Sequence, residues 1–516
     1  MSAIVYQTDR IIDDATTALA GTEGFAVSTL ASASLLFIGA RSESSINVYE
    51  FSSAGRLTYV QDLGPRSNRL LDGVGELATV SLPDDEYLLT TSLYDNAFQG
   101  YRVTANGTLR VDDFLQDDVI RDPIDDSPGV SDGGDALALY GADSIVGYEV
   151  GGVAHFAIGA AYDGGVAILR YLEGGAIEHV SNTFDTADVH LSGVEDLALA
   201  ETSFGRFLIS VSPDEEGVSV FQVSDAGALT NTFNLATGPE ISLGVLTTAA
   251  TVSIDDQTFV FIAGRGNWPI NAFKLEADGT LTLTDRVTGG EAANLFNTYA
   301  LTAFQAEGKT FLAAGSDRGG VSLFRVGDNG ALSLVHEDGH LNRRVETTDA
   351  FHVEQFGDKT YLIAGGGIGD GVTVSRFFAA PKGEGLVGGT TAETLIGSPK
   401  GDVIIGDAGN DRIKGKSGHD RILNGVGKDL LWGGPGRDVF EFIHDDQQDK
   451  LRDFQDGLDL IDLSDAPGVD DLTDLDITQV NVANVKIEID GELLFIRGYG
   501  NDALDVAQLG PEDFIF

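Results

Sequence analysis

Cysteine is absent from this chain of 516 residues, so neither a disulfide framework nor thiol chemistry is available to it. Positive charge is scarce as well, because 32 Lys and Arg residues stand against 81 Asp and Glu residues, for a formal net charge of −49. That balance argues against nucleic acid and anionic membranes as partners. No apolar run is long enough to cross a bilayer as a helix. Residues 1–10 do not join a basic region to an apolar one, so no N-terminal secretion signal is expected.

Familiar catalytic motifs are also missing. The sequence contains no G-x-S-x-G nucleophile turn, no H-E-x-x-H zinc motif and no EF-hand spacing. It has no phosphate-binding glycine loop placed between a strand and a helix. Enzymatic activity is therefore uncertain, and these absences lean against it.

The most informative feature that is present is a tandem repeat from Gly388 to Glu441. Six nine-residue units follow one another without a break: GGTTAETLI, GSPKGDVII, GDAGNDRIK, GKSGHDRIL, NGVGKDLLW and GGPGRDVFE. Position six is always acidic and position eight is always apolar. Position four is glycine in the last four units: Gly409, Gly418, Gly427 and Gly436. This is the pattern G-G-x-G-x-D-x-U-x.

The pattern has a direct physical interpretation. Glycines permit the backbone of a tight turn, and the turn presents carbonyl oxygens and one carboxylate, which are the hard ligands that Ca²⁺ prefers. The residues after the acid form a short strand whose apolar side chain points into a coil. A flexible glycine-rich linker would not need an apolar residue at every position eight. The sequence therefore predicts a calcium-binding parallel β-roll.

These units resemble the RTX repeats of toxins and serralysin-type proteases that Gram-negative bacteria secrete. The resemblance implies ions held between the turns of units n and n+2, with Ca²⁺ as the cofactor. It implies that the position-four glycines shape the sites and that the acids of units two to six are the metal ligands: Asp402, Asp411, Asp420, Asp429 and Asp438. Glu393, Thr391 and Lys400 depart from the pattern in the first two units, so calcium is expected to be weak or absent there.

The region after the repeats extends the resemblance. Residues 449–463 look like the capping region that follows the β-roll in serralysin-type domains. The end of the chain, Gly510 to Phe516, is similar to the uncleaved signal read by type I secretion systems. The resemblance thus implies a secreted, extracellular or surface-associated protein of a Gram-negative bacterium, with the type I machinery as a partner. Because extracellular calcium sites often bind only near 10⁻⁴ to 10⁻³ M, roughly, the domain is expected to be disordered inside the cell and to fold outside it.

Residues before about 380 form a second, longer repeat. Glycines at the same point of consecutive units lie 51 or 52 residues apart, with one interval of 68. Each unit combines an apolar run with alternating stretches and turn residues. Four short strands in about fifty residues is the size of one propeller blade. Seven units predict a seven-bladed β-propeller, with strand 3–7 completing the last blade so that no sheet edge stays open. A row of small β-sandwiches is the alternative, but a sandwich needs more strands per unit.

This region resembles the seven-bladed lactonase family, the phosphogluconolactonase-like propellers, through its recurring S-V-F-x-V and G-x-L segments. The His-Pro motifs that open many blades in that family are not found here. First strands of propeller blades line the central channel, and Glu76, Asp196 and Asp349 fall on those strands. Together they could hold a channel metal that polarises a lactone or ester carbonyl. They could equally be solvated turn residues of a very acidic protein.

The sequence therefore predicts an all-β protein with four parts: a propeller (1–380), a linker (381–387), an RTX β-roll (388–441), and a β-rich cap with the secretion signal (442–516). The favoured function is binding of an extracellular or cell-surface ligand by the propeller, such as a glycan, a protein or a surface layer. A secreted lactonase-type hydrolase is the first alternative. A structural component of a surface layer or matrix is the second.

Overall fold

The architecture was examined in a computed structural model of the whole chain. It describes residues 4–12, 19–30, 34–64, 70–82, 85–116, 138–172, 176–238, 241, 243–266, 269–288, 295–316, 321–338, 347–366, 371–379, 383–464, 466, 468–469, 471–489, 491–500 and 504–516. Tyr6–Phe377 form one compact unit and Phe378–Phe516 belong to a second. Three short 3₁₀ helices, Pro213–Glu215, Leu472–Asp474 and Pro511–Asp513, are the helices of the described residues.

The first unit consists of four-stranded sheets. Its strands are β1 (Ile4–Ile12), β2 (Thr22–Thr29), β3 (Ser34–Ala40), β4 (Ser45–Phe51), β5 (Leu57–Leu63), β6 (Val74–Ser81), β7 (Glu86–Ser92), β8 (Ala97–Val103), β9 (Leu109–Gln116), β10 (Ala142–Val150), β11 (Val153–Ala160), β12 (Gly165–Tyr171), β13 (Ile177–Phe184), β14 (Asp196–Thr202), β15 (Gly205–Ser212), β16 (Gly217–Val223), β17 (Leu229–Ala236), β18 (Val245–Ile254), β19 (Gln257–Arg265), β20 (Ile270–Leu275), β21 (Leu281–Val287), β22 (Thr298–Ala306), β23 (Lys309–Ser316), β24 (Val321–Val326), β25 (Leu332–Asp338), β26 (Ala350–Phe356), β27 (Lys359–Gly365) and β28 (Gly371–Phe378).

Six of these sheets are built from four consecutive strands, from β2–β5 to β22–β25. The seventh has the order β1-β28-β27-β26, so the first strand of the chain lies beside the last strand of the propeller. This pairing covers the edge that β28 would otherwise expose. The ring is thereby closed by main-chain hydrogen bonding between distant parts of the sequence.

Burial follows the position of each strand in its blade. The second strands β3 and β27 are buried along their whole length, because apolar side chains cover both of their faces. The fourth strand β5 is largely half-buried or exposed. Neighbouring blades share their cores, as where Ile209 of β15 and Ile262 of β19 belong to one apolar cluster.

The second unit is a parallel coil with a β-rich cap. Its strands are β29 (Gly385–Val387), β30 (Thr394–Ile396), β31 (Val403–Ile405), β32 (Arg412–Lys414), β33 (Arg421–Leu423), β34 (Leu430–Trp432), β35 (Val439–Glu441), β36 (Gln448–Phe454), β37 (Leu460–Asp462), β38 (Asp476–Asn481), β39 (Asn484–Ile489), β40 (Glu492–Gly498) and β41 (Phe514–Ile515).

Alternate strands of the coil pair in parallel and form two sheets. One has the order β29-β31-β33-β35-β37-β41, and the other has the order β30-β32-β34-β36-β40-β39-β38. Ile404 pairs with Ile422, and Ile413 pairs with Leu431, so each strand meets the strand two units further along. The position-eight side chains of both sheets meet inside the coil, where Ile404, Ile413, Ile422, Leu431 and Phe440 are fully buried.

The predicted all-β architecture of a seven-bladed propeller, a parallel β-roll and a β-rich cap is confirmed. The ends of the roll differ from the sequence prediction. Strand β29 lies in the segment predicted as linker, yet it already pairs with β31. At the other end, β37 still pairs in parallel with β35 although Leu460–Asp462 no longer follow the nine-residue pattern. Backbone pairing needs only an extended segment in register, so the coil continues where the glycine motif has ended.

No helix in the described ranges is long and apolar enough to serve as a membrane span.

Deleting residues 1–12 should destabilise the propeller and promote self-association. The deletion removes β1 and leaves β28 as an exposed edge strand, which is a template for pairing with another chain. We expect a lower melting temperature and dimers or larger species in analytical ultracentrifugation. A variant that lacks residues 1–3 alone is the control, and equal behaviour of the two deletions would contradict the closure by β1.

Candidate calcium ladder and propeller cavity

The position-six carboxylates of the β-roll form hydrogen-bonded ladders along the coil. The backbone N–H of Asp402 donates to Oδ1 of Asp420 at 2.8 Å, and the N–H of Asp420 donates to Oδ1 of Asp438 at 2.9 Å. On the other side of the coil, the N–H of Asp411 donates to Oδ1 of Asp429 at 2.7 Å. Each acid therefore uses one oxygen to tie its own turn to the turn 18 residues earlier.

The second carboxylate oxygen of four of these acids has no partner. Oδ2 of Asp411, Asp420, Asp429 and Asp438 is buried and makes no hydrogen bond. All four side chains are at most 1% exposed. A buried carboxylate oxygen without a donor is costly, because it has lost its hydration and gained nothing in return. Four such atoms in equivalent positions indicate sites for a bound group that interacts with these oxygens.

The glycines of the turns leave the space beside these oxygens open. At Gly415, an added Cβ would meet both Oδ2 of Asp420 and the carbonyl oxygen of Gly433, and at Gly406 it would meet Oδ2 of Asp411 and the carbonyl oxygen of Asn424. A carboxylate oxygen and a carbonyl oxygen thus converge on one side of each turn. The position-four residues Gly409, Gly418 and Gly427 have φ values of 132°, 138° and 141°, which favour glycine. At Gly436 a Cβ would collide with the carbonyl of Gly418.

At the first turns of the coil, both carboxylate oxygens of the ladder acids accept hydrogen bonds from the protein. Oδ2 of Asp402 accepts from the N–H of Ser398 at 2.7 Å, and Oδ1 accepts from the hydroxyl of Ser398 at 2.8 Å. Glu393 accepts from the N–H of Gly389 at 2.9 Å and from the hydroxyl of Thr391 at 3.0 Å. Both acids are therefore satisfied by the protein itself. Asp402 was predicted as a metal ligand together with the other four, and its calcium role stays a prediction.

The far end of the ladder also has internal donors. Asp449 continues one row, with Oδ1 accepting from the N–H of Asp429 at 2.8 Å and Oδ2 accepting from Nδ2 of Asn424 at 2.8 Å. Asp459 continues the other row, accepting from the N–H of Asp438 at 3.0 Å and from the N–H of Gln455 at 2.8 Å. These two acids lie outside the nonapeptide pattern, so only the pairing of the strands reveals that they belong to the ladder.

Burial shifts the titration of the ladder. It raises the pKa of Asp420 to about 6, with Asp402 adding to the rise. It raises the pKa of Asp429 to about 7 and that of Asp438 to about 8, where neighbouring acids again contribute. Like charges in a dry environment disfavour ionisation, whereas a cation beside the free oxygens would favour it. Ca²⁺ supplies that cation and accepts carboxylate and carbonyl oxygens together, so the residues present fit this ion.

The propeller holds a second candidate site, a cavity of about 380 Å³. It is lined by the starts of the first strands of all seven blades. Its charged lining residues are Glu23, Arg41, Glu76, Asp143, Glu195, Asp196, Arg265 and Asp349. The three predicted channel residues, Glu76, Asp196 and Asp349, thus share one cavity.

Glu76 and Asp196 are connected through one hydroxyl. Oγ of Ser144 lies 2.9 Å from Oε2 of Glu76 and 3.4 Å from Oδ1 of Asp196. The N–H of Ile145 also donates to Glu76, and the N–H of Ala249 donates to Asp196, both at 2.8 Å. Burial, and then the charge of Asp196, raises the pKa of Glu76 well above its usual range. Burial raises the pKa of Asp196 to about 6.

Two arginines approach other acids of the cavity. Arg41 lies within ion-pair distance of Asp143 and, at 3.4 Å, of Glu23. Arg265 lies 2.9 Å from Glu195.

Asp349, the third predicted channel residue, accepts from the hydroxyl of Thr347 at 3.1 Å. Within the described ranges, no three His, Asp or Glu side chains approach closely enough to share one metal ion, and the channel metal stays a prediction.

Sequence reasoning did not single out Glu23, Arg41, Asp143 or Arg265. A signal for the acids was present in the repeat, because Asp143 and Glu195 are 52 positions apart and occupy equivalent places in successive blades. Strand pairing skips Glu23, between Thr22 and Gly24, and also skips Asp143, between Ala142 and Ser144. A β-bulge of this kind redirects a side chain. The arginines lie on second strands or just after them, so their approach to these acids depends on the closed blade.

Comparisons with known proteins agree with both parts of the chain. Residues 387–422 match the family model of the RTX calcium-binding nonapeptide repeat in four copies. The second unit carries RTX calcium-binding repeats. Residues 205–347 match the lactonase family of seven-bladed β-propellers, and the propeller is lactonase-like. RTX repeats are typical of secreted proteins of Gram-negative bacteria.

Solved structures similar to the chain are distant from it in sequence. A protein from Lactobacillus plantarum is 14% identical over 65% of this chain and 96% of its own, with a TM-score of 0.46. A candidate 6-phosphogluconolactonase from Bacteroides fragilis is 15% identical over 65% of this chain and 88% of its own, with a TM-score of 0.47. Sqt1 from Saccharomyces cerevisiae is 11% identical over 74% of this chain and 100% of its own, with a TM-score of 0.45. No match to a curated protein was found.

Replacing Glu23 by Gln should flatten the pH dependence of propeller stability. Burial raises the pKa of Glu23 to about 8, although Arg41 opposes the rise. Because this folded value lies above that of an unfolded Glu, about 4.3, the contribution is complete at low pH and is lost as pH rises through about 8. One proton accounts for at most about 1.4 kcal/mol per pH unit.

The melting temperature of the propeller, followed by calorimetry at fixed calcium between pH 5 and pH 8, measures this effect. Glu178→Gln, on the exposed fourth strand β13, is the control and should leave the slope unchanged. Identical slopes for the wild type and Glu23→Gln would show that Glu23 is ionised throughout this range.

Proposed function

We propose that this protein is exported, folds its β-roll on calcium outside the cell, and uses its propeller to bind an extracellular or cell-surface ligand. The observation that carries the proposal is a set of four buried Oδ2 atoms without partners, two on each side of the coil, at equivalent repeat positions. Asp411, Asp420, Asp429 and Asp438 would hold the ions, together with carbonyl oxygens of the glycine turns. Binding there supplies the charge that these oxygens lack.

Calcium fits this role better than a smaller ion. Ca²⁺ accepts six to eight oxygen ligands in variable geometry, whereas Mg²⁺ demands a near-ideal octahedron and keeps several waters. Turns that offer one carboxylate and several carbonyls suit the larger ion. Binding to the folded state alone stabilises it by mass action, and each ion also reduces the repulsion within a chain of net charge −49.

Folding on calcium is compatible with export of an unfolded chain. In the folded structure, Phe514 pairs with Ile461 and Ile515 pairs with Asp462, so the C-terminus is the last strand of a roll sheet. Phe514 is 6% exposed. A secretion signal in this segment would therefore be accessible before the roll forms and covered afterwards. Low calcium inside the cell keeps the segment available to the type I machinery in this proposal.

The cavity of the propeller supports ligand binding as the role of the first unit. It has a volume of about 380 Å³, and its lining combines acids with two arginines. Concave sites with a few convergent polar groups are the usual places for small ligands. Glycans, proteins and surface-layer components of the cell exterior remain candidate ligands.

A lactonase-type hydrolase is the second candidate function. The acid pair Glu76 and Asp196 favours it, because burial raises the pKa of Glu76 well above its usual range and that of Asp196 to about 6. A catalytic acid or base transfers protons most efficiently when its pKa lies near the working pH. The fold of the propeller is lactonase-like, but a fold does not convey a reaction. Loss of lactone or ester hydrolysis in Glu76→Gln, with the fold intact, would favour this alternative.

Calcium should induce the β-structure of residues 385–516, and Asp420→Asn should remove at least one calcium site. The substitution removes the charge at a free Oδ2, so we expect the calcium midpoint of folding to rise about tenfold, or about 1.4 kcal/mol. Circular dichroism follows the folding, and isothermal titration calorimetry gives the number of ions.

Asp402→Asn is the matched control, because Asp402 holds the same repeat position but its Oδ2 accepts from Ser398. It should keep the wild-type number of ions even if the domain becomes less stable. An equal loss of ions in both variants, or no gain of structure on adding calcium, would contradict the assignment of the sites.

Deleting residues 510–516 should abolish secretion through a type I system while the cytoplasmic protein still accumulates. The C-terminal segment would be the part that the transporter reads. Secreted and retained protein can be measured in a host that carries the transporter, with an internal deletion of equal length in the cap, 476–482, as the control. Unchanged secretion of the 510–516 deletion would place the signal elsewhere.

A further inference from the structure

The outer face of the seven-stranded roll sheet is basic in an otherwise very acidic protein. We call it the basic face and define it by six cationic side chains on strands β32, β36, β39 and β40: Arg412, Lys414, Lys450, Arg452, Lys486 and Arg497. These positions alternate with the buried residues of the same strands, as where Lys450 and Arg452 flank Leu451. All six belong to the second unit, which carries the RTX repeats.

Strand pairing aligns these cations in rows. In one row, Arg412 pairs with Leu430 and Leu430 with Lys450. The same row continues through Phe495 to Lys486. Because neighbouring strands lie about 4.8 Å apart, Arg412 and Lys450 are separated by about 10 Å along a straight line. The face is therefore a regular strip of positive charge and not a single cluster.

An aromatic side chain is held between two of the cations. The guanidinium of Arg412 lies 5.6 Å from the ring centroid of Trp432, and Nζ of Lys414 lies 5.1 Å from it. Lys414 and Trp432 are direct partners in the sheet. Both cations are exposed and the indole is half-buried. An indole flanked by cations presents an apolar surface for stacking beside groups that bind anions.

Little negative charge opposes the strip. Lys486 pairs with Glu488 at 2.7 Å, and the charge of Asp476 also acts on it. Among the described residues, Arg412, Lys414, Lys450 and Arg452 form no ion pair. The remaining chain is strongly acidic, since the net charge is −49. An anionic partner would therefore be repelled by most of the surface and attracted here.

We propose that the basic face binds an acidic polysaccharide, carrying carboxylate or sulfate groups, in a calcium-dependent manner. Arg and Lys in rows suit a linear polymer with anionic groups at regular intervals, and Arg can engage carboxylate or sulfate with two parallel hydrogen bonds. Trp432 offers the stacking surface for the C–H face of a sugar ring.

Other polyanions fit the charge pattern less well. A membrane surface or a nucleic acid duplex is wide and densely charged, so a chain of net charge −49 would repel most of its area. A single polysaccharide chain is thin enough to contact the strip alone. Binding depends on calcium because the strip forms only when β32, β34 and β36 are paired. In the proposed function, that pairing requires the ion. The binding site itself goes beyond the proposed function, which assigns a ligand to the propeller.

The test measures binding of chondroitin sulfate to the full chain in millimolar calcium by titration calorimetry and tryptophan fluorescence. Replacing Arg412 and Lys414 together by Gln should weaken binding at least tenfold. The matched control replaces Arg56 and Arg325, two exposed arginines of the propeller, by Gln and should bind as the wild type does. Trp432→Phe should remove the fluorescence change, and circular dichroism in calcium verifies that every variant has folded its roll.

Selective loss in the Arg412 and Lys414 variant, with no binding of neutral dextran, supports the proposal. Equal weakening in the control variant, or no binding of chondroitin sulfate by a folded protein, overturns it. Equally tight binding of polyglutamate overturns the polysaccharide assignment and indicates an acidic protein surface as the partner. A roll that fails to fold in calcium would instead contradict the proposed function, and circular dichroism identifies that case.

Discussion

The stability of the second unit depends on four buried carboxylates, each of which has a hydrogen-bond donor for only one of its two oxygens. One oxygen of each ladder acid accepts a backbone N–H from the turn two units earlier, as Asp438 does from Asp420. That bond sets the spacing of the turns, but it also carries the carboxylate out of water. Without a counter-charge, burial and like charges raise the pKa of Asp438 to about 8. The same residues that order the coil therefore make its stability depend on a bound cation.

In the proposed function, this dependence connects structure, environment and export. A domain that needs millimolar calcium would have little drive to fold inside a cell, and its final strand would then be free for recognition by the transporter. Outside the cell, calcium would complete the ladder, and strand pairing would cover Phe514. The propeller is organised differently, because its stability comes from apolar cores shared between blades and from closure by β1. Some acids of its cavity lie beside arginines, as Glu195 does beside Arg265, and two others share one hydroxyl as a neighbour.

The basic face shows how a repeat can carry more than one function. In each nine-residue unit, positions six and eight serve the ladder and the core, so they vary little. Positions seven and nine are exposed or half-buried in units three and five, where they provide Arg412, Lys414 and Trp432. Position nine is instead buried in units two, four and six, at Ile405, Leu423 and Glu441. A surface row is thus added to the roll without disturbing its interior. The charge of that row opposes the net charge of −49 of the chain, and the proposed polysaccharide site rests on this contrast.

Much of this protein follows from local pattern, because glycine turns and alternating strands are specified by neighbouring residues. The nine-residue and fifty-residue repeats determined both domains, the glycine positions and the acids of the ladder. What the sequence did not determine depends on residues brought together from far apart. Asp449 joins the ladder because strands pair, and Asp143 meets Arg41 because different blades come together in the propeller. Likewise, Asp402 and Asp420 look equivalent in the repeat, yet only the folded turn shows that Ser398 satisfies one of them, since hydrogen-bond satisfaction is a property of packing.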